Sequence, residues 1–277
     1  MKKAKKNRLQ PLKWVLPNIW LCITLIPFVY MVMTSLRSNA DLMTNGSFSL
    51  PNPWYLGNYA KVMTSNFPRY FVNSLVVVAV ALVLVTLLSA MGAYVFARLC
   101  VNWSKPAYSI VVACMSIPIH ITLLPVFIMM RDAGLYNTVW ALIPTYVTFY
   151  LPISIFIMTG YMKGISKEIE EAALIDGASL FKIFYQIILP LSVPGLATIC
   201  IYDAIYFWNE FSFALVLTQD ATARTIPLAV WDFKAEFDVD TAGIMAVLTL
   251  SAVPLIIVYA FAQEKLVKGL MAGAVKG

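Results

Sequence analysis

The sequence predicts an all-α integral membrane protein with six transmembrane helices and a charged cytoplasmic loop between the fourth and fifth. Three observations carry that expectation. Apolar residues make up 61% of the chain and charged residues only 12%, with a mean hydropathy of +0.79. Soluble domains carry about 25% charged residues, and a chain this apolar cannot hide its surface in one core, so it belongs in a bilayer. Apolar runs of about 20 residues, the length that spans hydrocarbon, recur six times. Lysine and arginine gather at the ends of these runs, where membrane topology wants them.

The first 13 residues are basic, and MKKAKKNRLQPLKW could open a signal peptide. The apolar run that follows is long and is not followed by a small-residue cleavage site, so it reads as an uncleaved first span. Spans are expected at Trp14–Leu36, Phe71–Ala97, Ala107–Met130, Thr138–Tyr161, Leu191–Phe207 (open to extension) and Thr241–Ala262. Residues 14–262 thus form one six-span domain, and residues 263–277 a tail. Pro27, Pro118, Pro125, Pro144, Pro152, Pro194 and Pro254 fall inside these runs. Proline frees backbone carbonyls that packing or water must satisfy, which suits kinked helices around a cavity, although prolines are common in membrane helices anyway.

Charge counting sets the orientation. With the N-terminus inside, the cytoplasmic segments hold fourteen of the lysines and arginines and the outside segments six, so both termini are expected in the cytoplasm. The same count puts the loop at 163–190 on the cytoplasmic side. The last external loop, Gln219–Asp240, is acidic and aromatic.

Several function classes drop out. No basic face with stacking aromatics lies outside the spans, so the net charge of +6 does not point to nucleic acid. Cys22, Cys100, Cys114 and Cys200 lie in or beside apolar runs without metal-like spacing and read as packing residues. His120 is the only histidine and cannot build a histidine metal site alone; it reads as a packing or hydrogen-bonding residue. No GxxxxGK[ST] loop is present, so any ATP that drives this chain must be bound by another chain. No catalytic residue and no metal ligand is expected.

The stretch EAALIDGASLFKIFYQIILP, Glu171 to Pro190, reads as a helix–turn–helix. Ser166 is a plausible N-cap, and Glu168, Glu170 and Glu171 crowd a first turn where the helix dipole favours negative charge. Asp176-Gly177 ends the helix, since glycine adopts the left-handed conformation there readily, and Ser179 can cap the next. Ile165, Ile169, Ala172, Ala173 and Asp176 share one side at helical spacing, small in the middle. A plain loop or a helix lying on lipid is the alternative. Surface helices are rich in basic residues, and this one starts acidic, which favours a protein partner.

This stretch resembles the EAA loop of importer permeases in the ATP-binding cassette superfamily. The family pattern is EAA, three residues, Gly, nine residues, Ile, one residue and Leu-Pro, matched at Glu171, Ala172, Ala173, Gly177, Ile187, Leu189 and Pro190. WNEFSFALVLT (Trp208–Thr218) and the tail KGLMAGAVKG (Lys268–Gly277) resemble the smaller six-span subunit of maltose-type carbohydrate permeases. The resemblance implies that Glu171, Ala172, Ala173, Asp176, Gly177, Leu189 and Pro190 form a coupling helix for a cytoplasmic ATPase dimer. It further implies a second homologous permease as heterodimer partner and an extracytoplasmic sugar-binding protein reached by the last external loop. This chain would hold no cofactor of its own, with ATP and Mg on the ATPase. A permease for polyamines or glycerol phosphate would show the same loop.

Span five holds the one clear intramembrane acid, Asp203, by default a functional candidate facing the bundle interior. Asp203, Tyr206 and Glu210 follow i, i+3, i+7 spacing and are expected on one face, with Trp208 and Asn209 nearby. Aromatic planes beside amide and carboxylate groups suit sugar rings. Packing against the partner subunit, or an external gate, would use the same residues. A proton-coupled carrier with Asp203 as relay is the rival reading of a different class.

Overall fold

The structure, a computed structural model, describes residues 10–99, 101–234 and 239–274. Side chains are described from residue 14 to 261 within those ranges. The described residues form two compact units, one from residues 10–65 and 230–252, the other from 66–229 and 253–274.

The first unit opens with helix α1, Gln10–Ser35, apolar on every side and exposed along most of its length. A helix with that surface is stable only against lipid or other helices. It is followed by α2, Asn39–Asn45, capped by Ser38 Oγ accepting from the Asp41 N–H, and α3, Gly57–Thr64. Arg37 is fully buried, which a guanidinium tolerates only when paired. It ion-pairs with Asp41 and donates from Nη1 to Gly46 O at 2.8 Å and from Nη2 to Asp41 O at 3.0 Å. Asn58 Nδ2 donates to the carbonyls of Ser35 and Arg37 at 2.8 and 2.7 Å, closing the turn after α1 onto α3. The Arg37 guanidinium and the Asn45 amide hold the Asp41 carboxyl below its ordinary value of 3.8. Burial pushes the Asp240 carboxyl up, but the Lys61 ammonium, the Gly243 N–H and the Asn39 amide outweigh it and hold it below 3.8.

The second unit is built on α4, Phe67–Arg98, which buries Tyr70, Ser74, Val77, Ala81, Val85, Ser89 and Ala93 in one stripe at helical spacing. Small residues in that stripe let a neighbouring helix come close. After α5, Ser104–Cys114, and α6, Leu123–Asp132, the neighbour is α7, Leu142–Lys163. Val77, Ala81 and Val85 of α4 join Leu142, Ile143 and Tyr146 of α7 in one core, and Ala90 and Ala93 join Met158 and Met162 in a second. Next come α8, Glu168–Ile175; α9, Leu180–Ile183; and, past a π-helical turn, α10, Leu189–Leu191. Then follow α11, Val193–Asn209; α12, Ser212–Leu217; and a 3-10 segment, Ile226–Phe233. The last helix, α13, Thr241–Ala274, belongs to the first unit up to Ala252 and to the second from Val253. At Gly195 a Cβ would lie 2.8 Å from the Tyr161 ring, so glycine is what lets α11 approach α7 there.

Four helical segments are long and apolar enough to cross a membrane: Trp14–Ser35, Phe67–Arg98, Val139–Lys163 and Thr241–Phe261. Two bent pairs bring the count to six if each pair is one span. The expected spans one, two, four and six are therefore borne out to within a few residues. Spans three and five, each expected as one run holding kink-forming prolines, are bent pairs of helices rather than continuous ones. The region expected as Ala107–Met130 is Ser104–Cys114 plus Ile119–Asp132, bent by 91°. Pro118, which has no N–H to give and sits in extended backbone, stands at that break. At the fifth, Val193–Asn209 follows Leu180–Leu191 with a bend of 70° at Ser192, so the expected run from Leu191 is a helix entered through a sharp break.

Candidate functional site

The hairpin at 163–190 closes as its sequence dictates. Ser166 Oγ accepts the Glu168 N–H at 3.3 Å, one position earlier than a standard cap, because the residue at the cap position is Lys167. At the other end Gly177 takes φ +78°, the Gly177 N–H donates to Leu174 O at 3.0 Å and the Ala178 N–H to Ala173 O at 2.9 Å. That pair of bonds is a Schellman closure, which needs the left-handed residue in the middle. Ser179 Oγ then accepts the Lys182 N–H at 3.3 Å and starts α9.

The shared side expected for Ile165, Ile169, Ala172, Ala173 and Asp176 splits. Ile165 and Ala173 turn inward against the Ala93–Met162 core, while Ile169, Ala172 and Asp176 face outward. Ile165 precedes the helix start at Glu168 and does not share its register, and within the helix Ala173 lies about 100° around from Ala172. Glu171 and Gly177 are exposed as well, Leu189 is half-buried and Pro190 exposed. Large apolar side chains stand out beside them, with Ile175 87% and Phe181 77% exposed. A charged hairpin that offers this much bare apolar surface is built to be covered.

Sequence reading missed what anchors the hairpin. From sequence alone Arg98, the last residue of α4, is one of the basic residues that set topology. Its side chain is 2% exposed, and its Nε lies 2.9 Å from Glu170 Oε1, an ion pair without the alignment of a hydrogen bond. Its Nη2 donates to the carbonyls of Met162 and Ile165 where α7 ends, the Met162 carbonyl also taking the Ile165 N–H at 3.1 Å. One turn earlier, the Tyr94 ring lies 5.1 Å from that of Phe184, beyond α9.

The intramembrane candidates part company. Asp203 is fully buried and accepts a 2.8 Å hydrogen bond from Ser154 Oγ on α7. Helix α11 ends at Asn209, so Glu210 does not continue its face as the spacing implied. Glu210 instead accepts from the Phe213 and Ala214 N–H groups at 2.8 and 3.1 Å and from Tyr146 Oη at 3.0 Å, capping α12. Trp208 is buried, edge-on to Phe71 at 5.6 Å. Tyr206 and Asn209 are exposed, and Tyr202, one turn before Tyr206, lies in the same stripe. The Tyr206 ring is 4.6 Å from that of Tyr202 and 5.4 Å from that of Tyr150 on α7. The structure thus gathers a polar-aromatic strip of Tyr150, Tyr202, Tyr206 and Asn209, free of formal charge. The i, i+4, i+7 spacing of 202, 206 and 209 was the available signal.

The segment after α12 is not a solvated loop over its first half. Asn73 Nδ2 on α4 donates to the carbonyls of Thr222 and Arg224 at 3.1 and 2.8 Å, and Ser74 Oγ accepts the Ile226 N–H at 2.9 Å. Residues 235–238, with Glu236 and Asp238, lie outside the described residues, as do residues 1–9 and 275–277 and the tail side chains. His120 is exposed in a 3-10 turn rather than packed, because it sits beside the break at Pro118. Cys22 and Cys114 are exposed too, on helix faces bare of protein, while Cys200 packs beside Thr86 at 3.2 Å. Cys100 lies outside the described residues. Among the described residues no group of histidine, cysteine and acidic side chains could hold a metal.

Residues 102–271 match the family described as the binding-protein-dependent transport system inner membrane component. The chain belongs to that family. The permease is 45% identical over 96% of its length to the putative ABC transporter permease protein ORF2 of Caldicellulosiruptor sp., covering 97% of that protein. It is 33% identical to the diacetylchitobiose uptake system permease protein NgcG of Streptomyces coelicolor, over 95% of this chain and 88% of that one. Its fold matches a chain of a bacterial ABC transporter involved in import of the acidic polysaccharide alginate, with a TM-score of 0.80, 24% identity and coverage of 95% and 99%. The permease is a multi-pass protein of the bacterial inner membrane, and the expected membership of the ABC importer permeases is borne out.

Proposed function

We propose that this permease forms half of the translocation path of an ATP-driven carbohydrate importer. A second homologous permease forms the other half, a separate ATPase dimer docks on the 163–190 hairpin, and an extracytoplasmic binding protein delivers the sugar. Glu171, Ala172, Ala173, Asp176 and Gly177 sit at the docking face, and Leu189 and Pro190 lead from it into the fifth span. Both termini and the hairpin lie in the cytoplasm, in keeping with the fourteen-to-six charge count. The observation that carries the sugar reading is the 33% identity, over nearly the whole chain, to a diacetylchitobiose uptake permease. The strip of Tyr150, Tyr202, Tyr206 and Asn209 supports it. Its rings offer flat faces to sugar C–H groups and its hydroxyls and amide can bond sugar hydroxyls. A polyamine would call for exposed carboxylates there and a phosphate ester for exposed cations. Asp203 is buried and Glu210 is engaged by three donors instead.

The test is to express the permease with its partner chains, reconstitute the complex in proteoliposomes with the binding protein, and follow ATP hydrolysis. Diacetylchitobiose, maltotriose, spermidine and glycerol 3-phosphate are the probes. Stimulation by one of the sugars is expected. Stimulation by spermidine or glycerol 3-phosphate alone would overturn the sugar reading, and failure of any ATPase to co-purify would overturn the importer reading.

A further inference from the structure

Arg98 joins the end of α4 to the end of α7 and the start of α8, which lie 64 or more positions farther along the chain. It ends α4, its Nη2 donates to the carbonyls of Met162 within the last turn of α7 and Ile165 beyond it, and its Nε faces Glu170 in the first turn of α8. The guanidinium is 2% exposed and the Glu170 side chain 15%, so the pair sits away from water, where a charge tolerates no other arrangement cheaply. Arginine alone has a planar fork that can serve an acid on one edge and two carbonyls on another. Around it the contact is continuous. Ala93, Tyr94 and Ala97 of α4 pack in one cluster with Ile165, Ala173, Ala178, Ile183 and Met162. The same α4 and α7 carry the Val77–Tyr146 core farther along, and α7 carries Tyr150 of the polar strip.

We propose that Arg98 is the positioning residue that makes the 163–190 hairpin and the ends of α4 and α7 move as one rigid body, so that displacement of the hairpin reaches the spans. This rests on the reading that the hairpin docks on an ATPase. A hairpin held only by its two chain connections would swing on Gly164 and the turn at Ser192. The Arg98 fork removes that freedom by tying the acidic first turn of α8 to two helices at once. Glu170 is therefore the residue of the acidic turn that faces inward, and its neighbour Glu171 is left exposed to a partner.

The test measures rigidity directly in the assembled importer. Nitroxides are placed at Lys182 on the hairpin and at Val83 on α4, both exposed, in a background with the four cysteines replaced by serine. The distance between them is read by pulsed electron spin resonance without nucleotide and after trapping with ATP and vanadate. In the otherwise unaltered permease the distance is expected to stay single and unchanged through the cycle. In Arg98→Met and in Glu170→Gln it is expected to broaden or shift by about 5 Å, one helical turn, on trapping, while the ATPase still co-purifies and hydrolyses ATP. Glu170→Gln keeps shape and one acceptor oxygen, so it reads the pair even if Arg98→Met fails to reach the membrane. Unchanged distances in Glu170→Gln would overturn the proposal, as would a shift on trapping with Arg98 and Glu170 intact. Loss of ATPase co-purification already in the unaltered permease would overturn the docking reading beneath it, and is distinguishable because it precedes any distance measurement.

Discussion

Ser154 on α7 donates a 2.8 Å hydrogen bond to Oδ2 of Asp203 on α11, and the acid is sealed from solvent with Oδ1 left without a partner. An intramembrane acid so enclosed between two helices is placed to join them rather than to meet a solute. Ser154→Ala would strip the remaining bond and is expected to destabilise the purified permease by about 1–3 kcal/mol, the penalty of an unpaired buried polar group. Asp203→Asn keeps shape and acceptor, so uptake should stay near normal. A proton relay at Asp203 would instead lose at least about 100-fold in uptake on that change. Uptake by whole cells and thermal unfolding in detergent separate the two.

The hairpin turn should be sensitive to backbone chemistry alone. Nothing lies within 4 Å of a Cβ built at Gly177, so Gly177→Ala meets no clash, only its φ of +78°. The left-handed backbone is strained by about 1–2 kcal/mol for a residue with a Cβ, so a partial loss of uptake is expected. Gly177→Pro can neither take that φ nor donate to Leu174 O, and uptake should vanish at normal membrane levels. A bulky residue at Ala173, which packs toward Tyr94 and Met162, should do the same. Immunodetection of the protein in membranes alongside uptake checks both; normal transport in Gly177→Pro and in Ala173→Trp would sink the coupling role.

The first unit should be acid-labile in a definite window. Asp41 and Asp240 both have folded-state pKa values below the ordinary 3.8. A depressed acid lends stability at pH above its unfolded value and loses it as pH falls through its folded value. These two acids therefore contribute no slope between pH 7 and 5, and a loss at and below 3.8. Asp240→Asn should lower the melting temperature at pH 7, since Lys61 loses its counter-charge, and should shrink the acid loss. An identical acid loss in that variant would contradict the assignment.

Local features were legible in the sequence and long-range ones were not. The closure at Gly177 and the cap at Ser179 depend on residues within a turn of each other, so residue type alone declared them. Span length was legible because hydropathy sums over about 20 residues. Pro118 and Pro194 marked where spans three and five could kink, but not bends of 91° and 70°, because apolarity records how much of the chain is in oil and not the direction it takes. Arg98 and Glu170 are 72 positions apart in the chain, and nothing local distinguishes a topology arginine from a buried one. Glu210 was misplaced because a helical spacing was carried past Asn209, although Glu210 before SFALVL is also where a short helix would be capped.

Tyr206 is the most exposed ring of the strip, with 45% of its surface free, and sits between Tyr202 and Tyr150. If sugar rings pass along it, Tyr206→Ala should raise the KM for uptake about fivefold, as expected for loss of about 1 kcal/mol of ring contact, with a smaller change in the maximal rate. Tyr206→Trp should retain most of the function. Asp203→Asn serves as the control that leaves the strip intact. An unchanged KM in Tyr206→Ala would place the sugar elsewhere.

The segment at 219–229 tests whether the stretch after α12, proposed to face the binding protein, is a built surface. Asn137 and Asp220 bond each other, with the Asp220 N–H also donating to Asn137 Oδ1 at 2.8 Å. Asn73 and Ser74 hold the stretch from Thr222 to Ile226 against α4, with Ile226 and Leu228 buried beneath it. A loop tied this way presents a fixed outline, which is what a docking protein needs, because a mobile loop would have to be ordered on binding. Asn73→Ala removes two donors at once and leaves two carbonyls to water, loosening the loop without altering any exposed residue. ATP hydrolysis without binding protein should be unchanged, while the concentration of binding protein needed for half-maximal stimulation should rise about tenfold, equivalent to about 1.4 kcal/mol of lost preorganisation. Asn73→Asp keeps an acceptor but no donor and should behave like alanine, whereas Asn73→Gln should recover part of the effect. An unshifted titration in Asn73→Ala would show that the binding protein does not read this segment.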